Sequence, residues 1–362
     1  MGEVWAGERQ ILGGTAKRVA VKTLLSDAAQ DARARAMFLE EARLSMLLTN
    51  SNIVQVFDVG EAEDGTCYMA MEWVRGMNLA ELSAALRARG ERLPLVLTAF
   101  IVGELLKALA HAHDLDEGGE RKTIVHRDAS PHTLLLSVAG EVKLMDFGVA
   151  RFASEETEGR YIKGKLRYMP PEQLRGESRA PTIDLFAVGA VLHELLDGRK
   201  FRDTVDEARL YGMIFDGEVP PLRCPEEVPP ELEALRVKLL AAQVEERSRS
   251  AREAHQMLCR WSGYRDAKFE LQDIVRSLVR PEPECAATTV VPTGERKSDA
   301  TQERSSAART TSDLDDPRST SGLDAAVTEL APTAPSAVPA SIPVRPRVLV
   351  STALLASTGL DF

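Results

Sequence analysis

Cysteine is scarce in this chain. Four thiols, Cys67, Cys224, Cys259 and Cys285, are spread over 362 residues with no Cys-x-x-Cys pair and no closely spaced histidines. That pattern argues against a zinc centre and a disulfide framework, and it fits free thiols in a reducing compartment. A basic excess is lacking as well: 45 Lys and Arg face 55 Asp and Glu, for a net charge of −10. Nucleic acid is therefore not expected as the main partner, because a phosphate-backbone binder needs a basic face. The start, Met1-Gly2-Glu3-Val4, has neither the basic segment nor the apolar core of a secretory signal, so the expected location is the cytoplasm. The only largely apolar stretch that suggests a membrane is 348–360, yet it carries Ser351, Thr352, Ser357, Thr358 and Gly359 and falls short of the ~20 apolar residues a spanning helix needs. A membrane partner is not expected, and no repeat of fixed period is present.

What is there divides unevenly. No aromatic residue occurs between Phe269 and Phe362, and from Pro281 onward Ser, Thr, Ala, Pro and scattered charges dominate. Such a segment buries too little apolar surface to offset its ordering entropy, so 281–362 reads as a disordered tail, a linker or a segment for other proteins. Within 1–280, strands are predicted at 3–10, 18–24, 53–59, 67–74 and 141–145 from alternation and turn signals. Helices are predicted at 31–48, 79–89, 95–113, 183–196, 250–261 and 269–279 from apolar spacing. A strand-rich first part of about 75 residues thus precedes a helix-rich second part.

Three short signals occur in one order: Val19-Ala20-Val21-Lys22 on a strand, His126-Arg127-Asp128 after a helix, and Asp146-Phe147-Gly148 after another strand. Any one tripeptide is expected by chance roughly 0.05 times in a chain of this length, so the specificity lies in the ordered set. Pro170-Pro171-Glu172 and a helix containing Asp184 follow. On these residues the chain resembles the protein kinase family, in particular bacterial Ser/Thr kinases of the eukaryotic-like type, from residue 1 to about residue 261. The resemblance implies an α+β, two-lobed fold. A small β-rich N-lobe (1–74), without the family's first strand, would precede a larger helical C-lobe (75–263), an accessory helix (264–280) and the tail.

It also implies ATP and Mg²⁺ as cofactors and a protein as substrate. Phosphoryl transfer needs positioning and charge neutralisation more than covalent chemistry, which these residue types supply. Lys22 resembles the strand lysine that holds the α- and β-phosphates, and Glu41, rather than Glu40, its helix partner. Asp128 resembles the catalytic-loop base and Asp146 the metal-binding carboxylate. Met71 would stand at the back of the adenine pocket, and Glu72-Trp73-Val74 would form the hinge whose backbone pairs with adenine. Gly2, Val4 and Ala20 complete the implied nucleotide-binding set. Glu172 would pair with Arg247, and Asp184 would hold the catalytic loop from below.

The sequence departs from the family pattern in three places. Of the loop Gly-x-Gly-x-x-Gly-x-Val only the last glycine, Gly2, is present. Met1 therefore reads as an internal position of a truncated gene model, a natural remnant being the alternative. Thr133 stands where the family has a metal-binding Asn, and a hydroxyl is a shorter and weaker ligand. Ser130 occupies the place of a lysine and Lys165 that of a threonine, as if the two were exchanged. Lys165 is thus either a replacement cation or a surface lysine. In the activation segment Thr157 is a candidate phosphosite and Arg127 its candidate receiver. The function expected is a protein Ser/Thr kinase, with a pseudokinase scaffold as the alternative.

Overall fold

A computed structural model describes residues 2–10, 15–24, 31–62, 65–147, 166–177, 180–279 and 348–350. The first part is a sheet with one helix: β1 (Gly2–Gln10), β2 (Ala16–Leu24), α1 (Ala32–Leu47), β3 (Val56–Glu61) and β4 (Cys67–Glu72). The chain then passes through β5 (Gly76–Asn78), α2 (Leu79–Ala88), α3 (Leu95–His113), a hairpin of β6 (Leu115–Glu117) and β7 (Glu120–Lys122), then β8 (Leu134–Ser137) and β9 (Val142–Leu144). Beyond these lie α4 (Pro171–Leu174), α5 (Thr182–Asp197), α6 (Glu207–Phe215), α7 (Pro230–Leu239), α8 (Ala251–Leu258), α9 (Lys268–Leu278) and the strand β10 (Val348–Val350).

The antiparallel sheet runs β10-β1-β2-β4-β3. Strand β2 lies between β1 and β4, and its register sets Ala20 opposite Met71 and Lys22 opposite both Val4 and Met69. Because side chains alternate across a strand, Ala20, Lys22 and Leu24 share one face with Met69 and Met71. That face is covered by α1, whose Phe38 and Ala42 are buried against Ala20, Leu24, Val54, Val56, Met69 and Met71. Asp31 caps the helix by accepting from the Arg33 N–H, so the predicted start at 31 is the cap. Residues 38, 41, 42 and 45 are its buried positions, and helical spacing therefore carries Glu41 inward with Phe38.

The predicted strand at 53–59 begins only at Val56. Before it, Val54 donates to the Leu144 carbonyl at 2.9 Å and Leu144 donates to Asn52, so this stretch is spent joining the sheet lobe to β9. The helical lobe is built on α3 and α5. Ile101, Val102, Leu106, Leu185, Val188 and Val191 have essentially no exposure. Helix α3 is long and apolar enough to cross a membrane, a point the sequence reading passed over, and here it is mostly buried as the core helix of this lobe. Helices α6 and α7 were not predicted. Gly212 lies inside the first and weakens its helical signal, and Pro229-Pro230 opens a second that is short and highly charged. The segment read as an accessory helix puts Leu271 and Val275, both fully buried, into the same core.

Of the stretch read as a disordered tail, only residues 348–350 are among the described residues. Val348–Val350 pairs antiparallel with β1, Arg9 opposite Val348 and Gly7 opposite Val350. An unpaired strand edge accepts the segment of highest β-propensity within reach, and Val-Leu-Val is such a run.

His193 on α5 gives this core a pH dependence. Burial and the Arg236 charge outweigh Asp197 and Glu233, and the imidazole is pushed down to about 4. Folding thus favours the neutral ring, and the unfolded chain takes up a proton first as pH falls below 6.5. The stabilisation is complete above pH 6.5 and is lost between there and pH 4, by about 3 kcal/mol. Thermal melts should show a flatter slope over this interval for His193→Gln than for the wild type. Parallel slopes would assign the loss to other groups.

Candidate active site

Lys22 is the centre of the cleft. Its Nζ lies 2.6 Å from Glu41 Oε1 on α1 and 3.0 Å from Asp146 Oδ1, beyond β9. Burial works to lower the Lys22 pKa, but the charges and hydrogen bonds of Asp146 and Glu41 outweigh it, and the net shift is upward. The ammonium therefore stays charged. Three residues distant in sequence, on a strand, a helix and a loop, are joined through one nitrogen, with Ala20 and Met71 one register step away on the same face.

The loop 126–133 is shaped from beneath. Asp184 has no exposure and accepts from the backbone N–H groups of His126 at 2.8 Å and Arg127 at 2.7 Å, and it meets His113 Nε2 at 2.8 Å. Burial pushes its carboxyl up, yet the His113 and His126 interactions prevail and hold it below the usual value. Arg127 takes φ +67° and Asp146 φ +59°, a left-handed backbone that non-glycine residues adopt only when the surroundings impose it. The imposing contacts are visible: Arg127 donates to Asp184, and its carbonyl accepts from Gln173 Nε2 at 2.9 Å.

His126 joins the two motifs. Its Nδ1 accepts from the Asp128 N–H at 3.2 Å, so Nε2 carries the proton it donates to the Met145 carbonyl at 3.0 Å. That defines a neutral ring, in keeping with a pKa lowered by burial against the pull of Asp184 and Asp128. The ring also meets the buried Phe147 edge-on, with centroids 4.7 Å apart. Asp128 is thus held one hydrogen-bonded imidazole away from the backbone that leads into Asp146.

Thr133 is tied into the loop itself: it is 2% exposed, and its hydroxyl accepts from the Ser130 N–H and faces the Asp128 and Ser130 carbonyls, all at 3.1 Å. The oxygen is occupied in closing the turn that carries Asp128. Thr133→Val should therefore cost about 1–3 kcal/mol by stranding buried backbone groups. It should leave the Mg²⁺ dependence of nucleotide binding unchanged in calorimetric titrations, and a weakened dependence would return Thr133 to the metal.

Glu72 is tied in as well. Its N–H is already given to the Gln55 carbonyl, and its carboxylate turns to the buried Lys143, 3.1 Å away, which also donates to the Ser51 carbonyl. The hinge's first residue is tied backward, and Trp73 and Val74 follow outside regular structure, packed on the sheet-lobe core. Val4 is 42% exposed, opposite Lys22, while Gly2 pairs with Leu24 at the end of β1. Glu172 and Arg247 form a buried bidentate pair, with Arg247 Nη2 to Glu172 Oε2 at 2.9 Å. Residues 148–165, with Thr157 and Lys165, lie outside the described residues.

Sequence reasoning missed His113, Gln173 and Lys143. None belongs to a short motif, and only the fold brings them to the loop and hinge.

A fixed cation between two carboxylates, next to a loop carboxylate whose backbone is locked by buried hydrogen bonds, is what phosphoryl transfer asks of a protein. The two lobes and the Lys22 site are of the kinase-domain class. The protein kinase domain model matches residues 6–260, and the chain belongs to the protein kinase family. Among similar proteins, the tyrosine-protein kinase MasK of Myxococcus xanthus is 34% identical over 256 residues, 68% of this chain and 39% of its own length. The serine/threonine-protein kinase PrkC of Bacillus subtilis is 37% identical over 201 residues, 55% of this chain and 29% of its own. The probable serine/threonine-protein kinase PknB of Corynebacterium glutamicum is 35% identical over 229 residues, 61% and 33% respectively. The chain thus spans about a third of the length of the curated relatives it matches.

Proposed function

We propose that this chain is a protein serine/threonine kinase that transfers the γ-phosphate of ATP, with Mg²⁺ as its metal, to hydroxyl groups of a protein acceptor. The observation that carries the reading is the joining of Lys22 to both Glu41 and Asp146. When bound, Mg²⁺ and ATP supply the phosphoryl group and a cation that offsets its charge. Asp146 is the hard oxygen donor suited to that metal, and its side chain is about one-third exposed toward the cleft. Lys22 orients the phosphates, Glu41 holds Lys22, and Asp128 accepts the acceptor hydroxyl's proton. Ala20, Met71, Val74 and the hinge backbone hold the base, with Val4 and Gly2 on the strand above.

The serine/threonine kinases among its relatives support Ser and Thr as acceptors, and the relative named a tyrosine kinase makes the test specific. The setting is the cytoplasm, in keeping with the free thiols Cys67, Cys224 and Cys259. Phosphoamino-acid analysis after incubation with labelled ATP, Mg²⁺ and a generic protein acceptor should give phosphoserine and phosphothreonine. Phosphotyrosine alone would overturn the acceptor class, and absence of transfer would overturn the activity.

A further inference from the structure

We propose that Arg202 is a positioning residue that holds residues 167–169, the start of the stretch Tyr168-Met169-Pro170-Pro171-Glu172 that resembles the peptide-substrate platform of protein kinases, in register with the catalytic loop. The proposal rests on the kinase reading above. Arg202 follows α5 and has no exposure, and its backbone lies at φ +48°. Its Nε donates to the Glu218 carbonyl at 2.9 Å, and its Nη1 to the carbonyls of Met169 at 2.8 Å and Arg167 at 3.4 Å. The guanidinium carbon lies 5.0 Å from the Phe201 ring centre and 5.3 Å from that of Phe186. Arg167 answers in kind, donating to the Arg202 carbonyl and, at 2.7 Å, to that of Thr204. Two arginines thus hold each other's backbone.

Such an arrangement is costly, and the cost makes it informative. A buried cation and a left-handed non-glycine backbone both oppose folding, and an aliphatic side chain would fill the space without the first of these costs. Burial pushes the Arg202 pKa down to about 10, against the Glu218 charge, so the group remains a cation at neutral pH. It is met by three carbonyls and two aromatic faces, and Nη2 has no hydrogen-bond partner among the described residues. An ordinary core position would not select this residue. A guanidinium offers a rigid fork that binds several carbonyls at fixed angles.

What the fork holds is the platform. Tyr168, between the two tied carbonyls, donates to Glu194 at 2.6 Å, and Met169 packs with Leu166, Leu174, Leu210 and Ile214. The platform leads directly into α4, where Gln173 donates to the Arg127 carbonyl beside Asp128. A continuous path therefore runs from Arg202 through 167–169 and α4 to the residue next to the loop carboxylate. None of these bonds reaches Lys22, Glu41 or Asp146. Loss of the fork should loosen where the acceptor lies without altering how nucleotide is held.

The test is steady-state phosphotransfer to a peptide acceptor by wild type, Arg202→Met and Arg202→Gly, together with deuterium uptake over 166–174. Both variants should raise KM for the peptide by about ten-fold, with kcat within about two-fold and KM for ATP unchanged. Uptake over 166–174 should quicken. Glycine tolerates the left-handed backbone, so agreement of the two variants assigns the effect to the guanidinium rather than to strain. If neither folds, Arg167→Met, which removes the reciprocal half from a less buried site, should raise the peptide KM by about three-fold or more. An active wild type with unchanged peptide KM in the variants would overturn the role of Arg202 alone, as would a parallel loss of ATP affinity. A wild type that phosphorylates no acceptor would overturn the kinase reading and this inference with it.

Discussion

Replacing Lys22 with Met should lower kcat/KM for phosphotransfer by about 10³-fold or more, the largest effect expected of a single substitution in the sheet lobe. Methionine keeps the length and the apolar stem but removes the charge that lies 2.6 Å from Glu41 and 3.0 Å from Asp146. Two carboxylates would then share a cleft without the Lys22 charge that joins them. Glu41 would lose the partner that draws α1 toward the sheet, and Asp146 the partner that fixes its oxygens. Both consequences damage the same constellation. Glu41→Gln added to Lys22→Met should therefore cost little more than Lys22→Met alone, the non-additivity expected of residues that act as a unit. Transfer of labelled phosphate to a protein acceptor measures the four members of the cycle. A Lys22→Met turnover within three-fold of wild type, on the order of 0.6 kcal/mol, would sink the assignment of the cleft.

How much of this was legible in the sequence depends on whether the signal is local. Lys22 announces itself because it closes the alternating run Val19-Ala20-Val21-Lys22 inside a strand, whereas Glu41 was told from Glu40 through the family resemblance, and the helix then carries it inward with Phe38. Asp128 and Asp146 stand in tripeptides whose order along the chain is informative. The pairing of Glu172 with Arg247, 75 residues apart, could be anticipated only through the family resemblance. Where the decisive contact is long-range and outside any motif, the sequence was silent. His113 ends an apolar helix and looks like an ordinary polar terminus, yet it meets Asp184 across 71 residues. Thr133 was legible as a substitution at a metal position, but the closing of its hydroxyl on Ser130 and Asp128 is a property of the folded turn. Arg202 lies in a run of charges that reads as solvent-exposed, and only the fold turns it inward over Phe186 and Phe201.

The second large effect belongs to a residue remote from the nucleotide. Asp184→Asn should lower stability by about 3 kcal/mol and phosphotransfer by about 10²-fold, while leaving nucleotide affinity near that of wild type. The aspartate offers two acceptor oxygens to three donors: the His126 and Arg127 N–H groups and His113 Nε2. An asparagine has the same shape but one acceptor, and its NH₂ would face a donor in a site with no exposure. At least one backbone N–H of the loop would lose its partner. Arg127 at φ +67° would then lose one of the contacts that impose its backbone, and the strained turn would relax toward a commoner conformation. Asp128 follows Arg127 directly, and a displacement of about 1 Å at the proton acceptor is enough for a 10²-fold loss. The Lys22, Glu41 and Asp146 contacts do not pass through this carboxylate, so nucleotide titration should be little changed. The same substitution should also alter the acid limb of stability. Asp184 has a lowered pKa in the folded state, so its contribution is present above the ordinary carboxylate range and disappears as pH falls through the folded value. Wild-type melts should lose stability on that acid limb more steeply than Asp184→Asn melts. An Asp184→Asn protein with wild-type turnover, or one whose nucleotide affinity falls as far as its turnover, would show that this carboxylate does not act by shaping the loop.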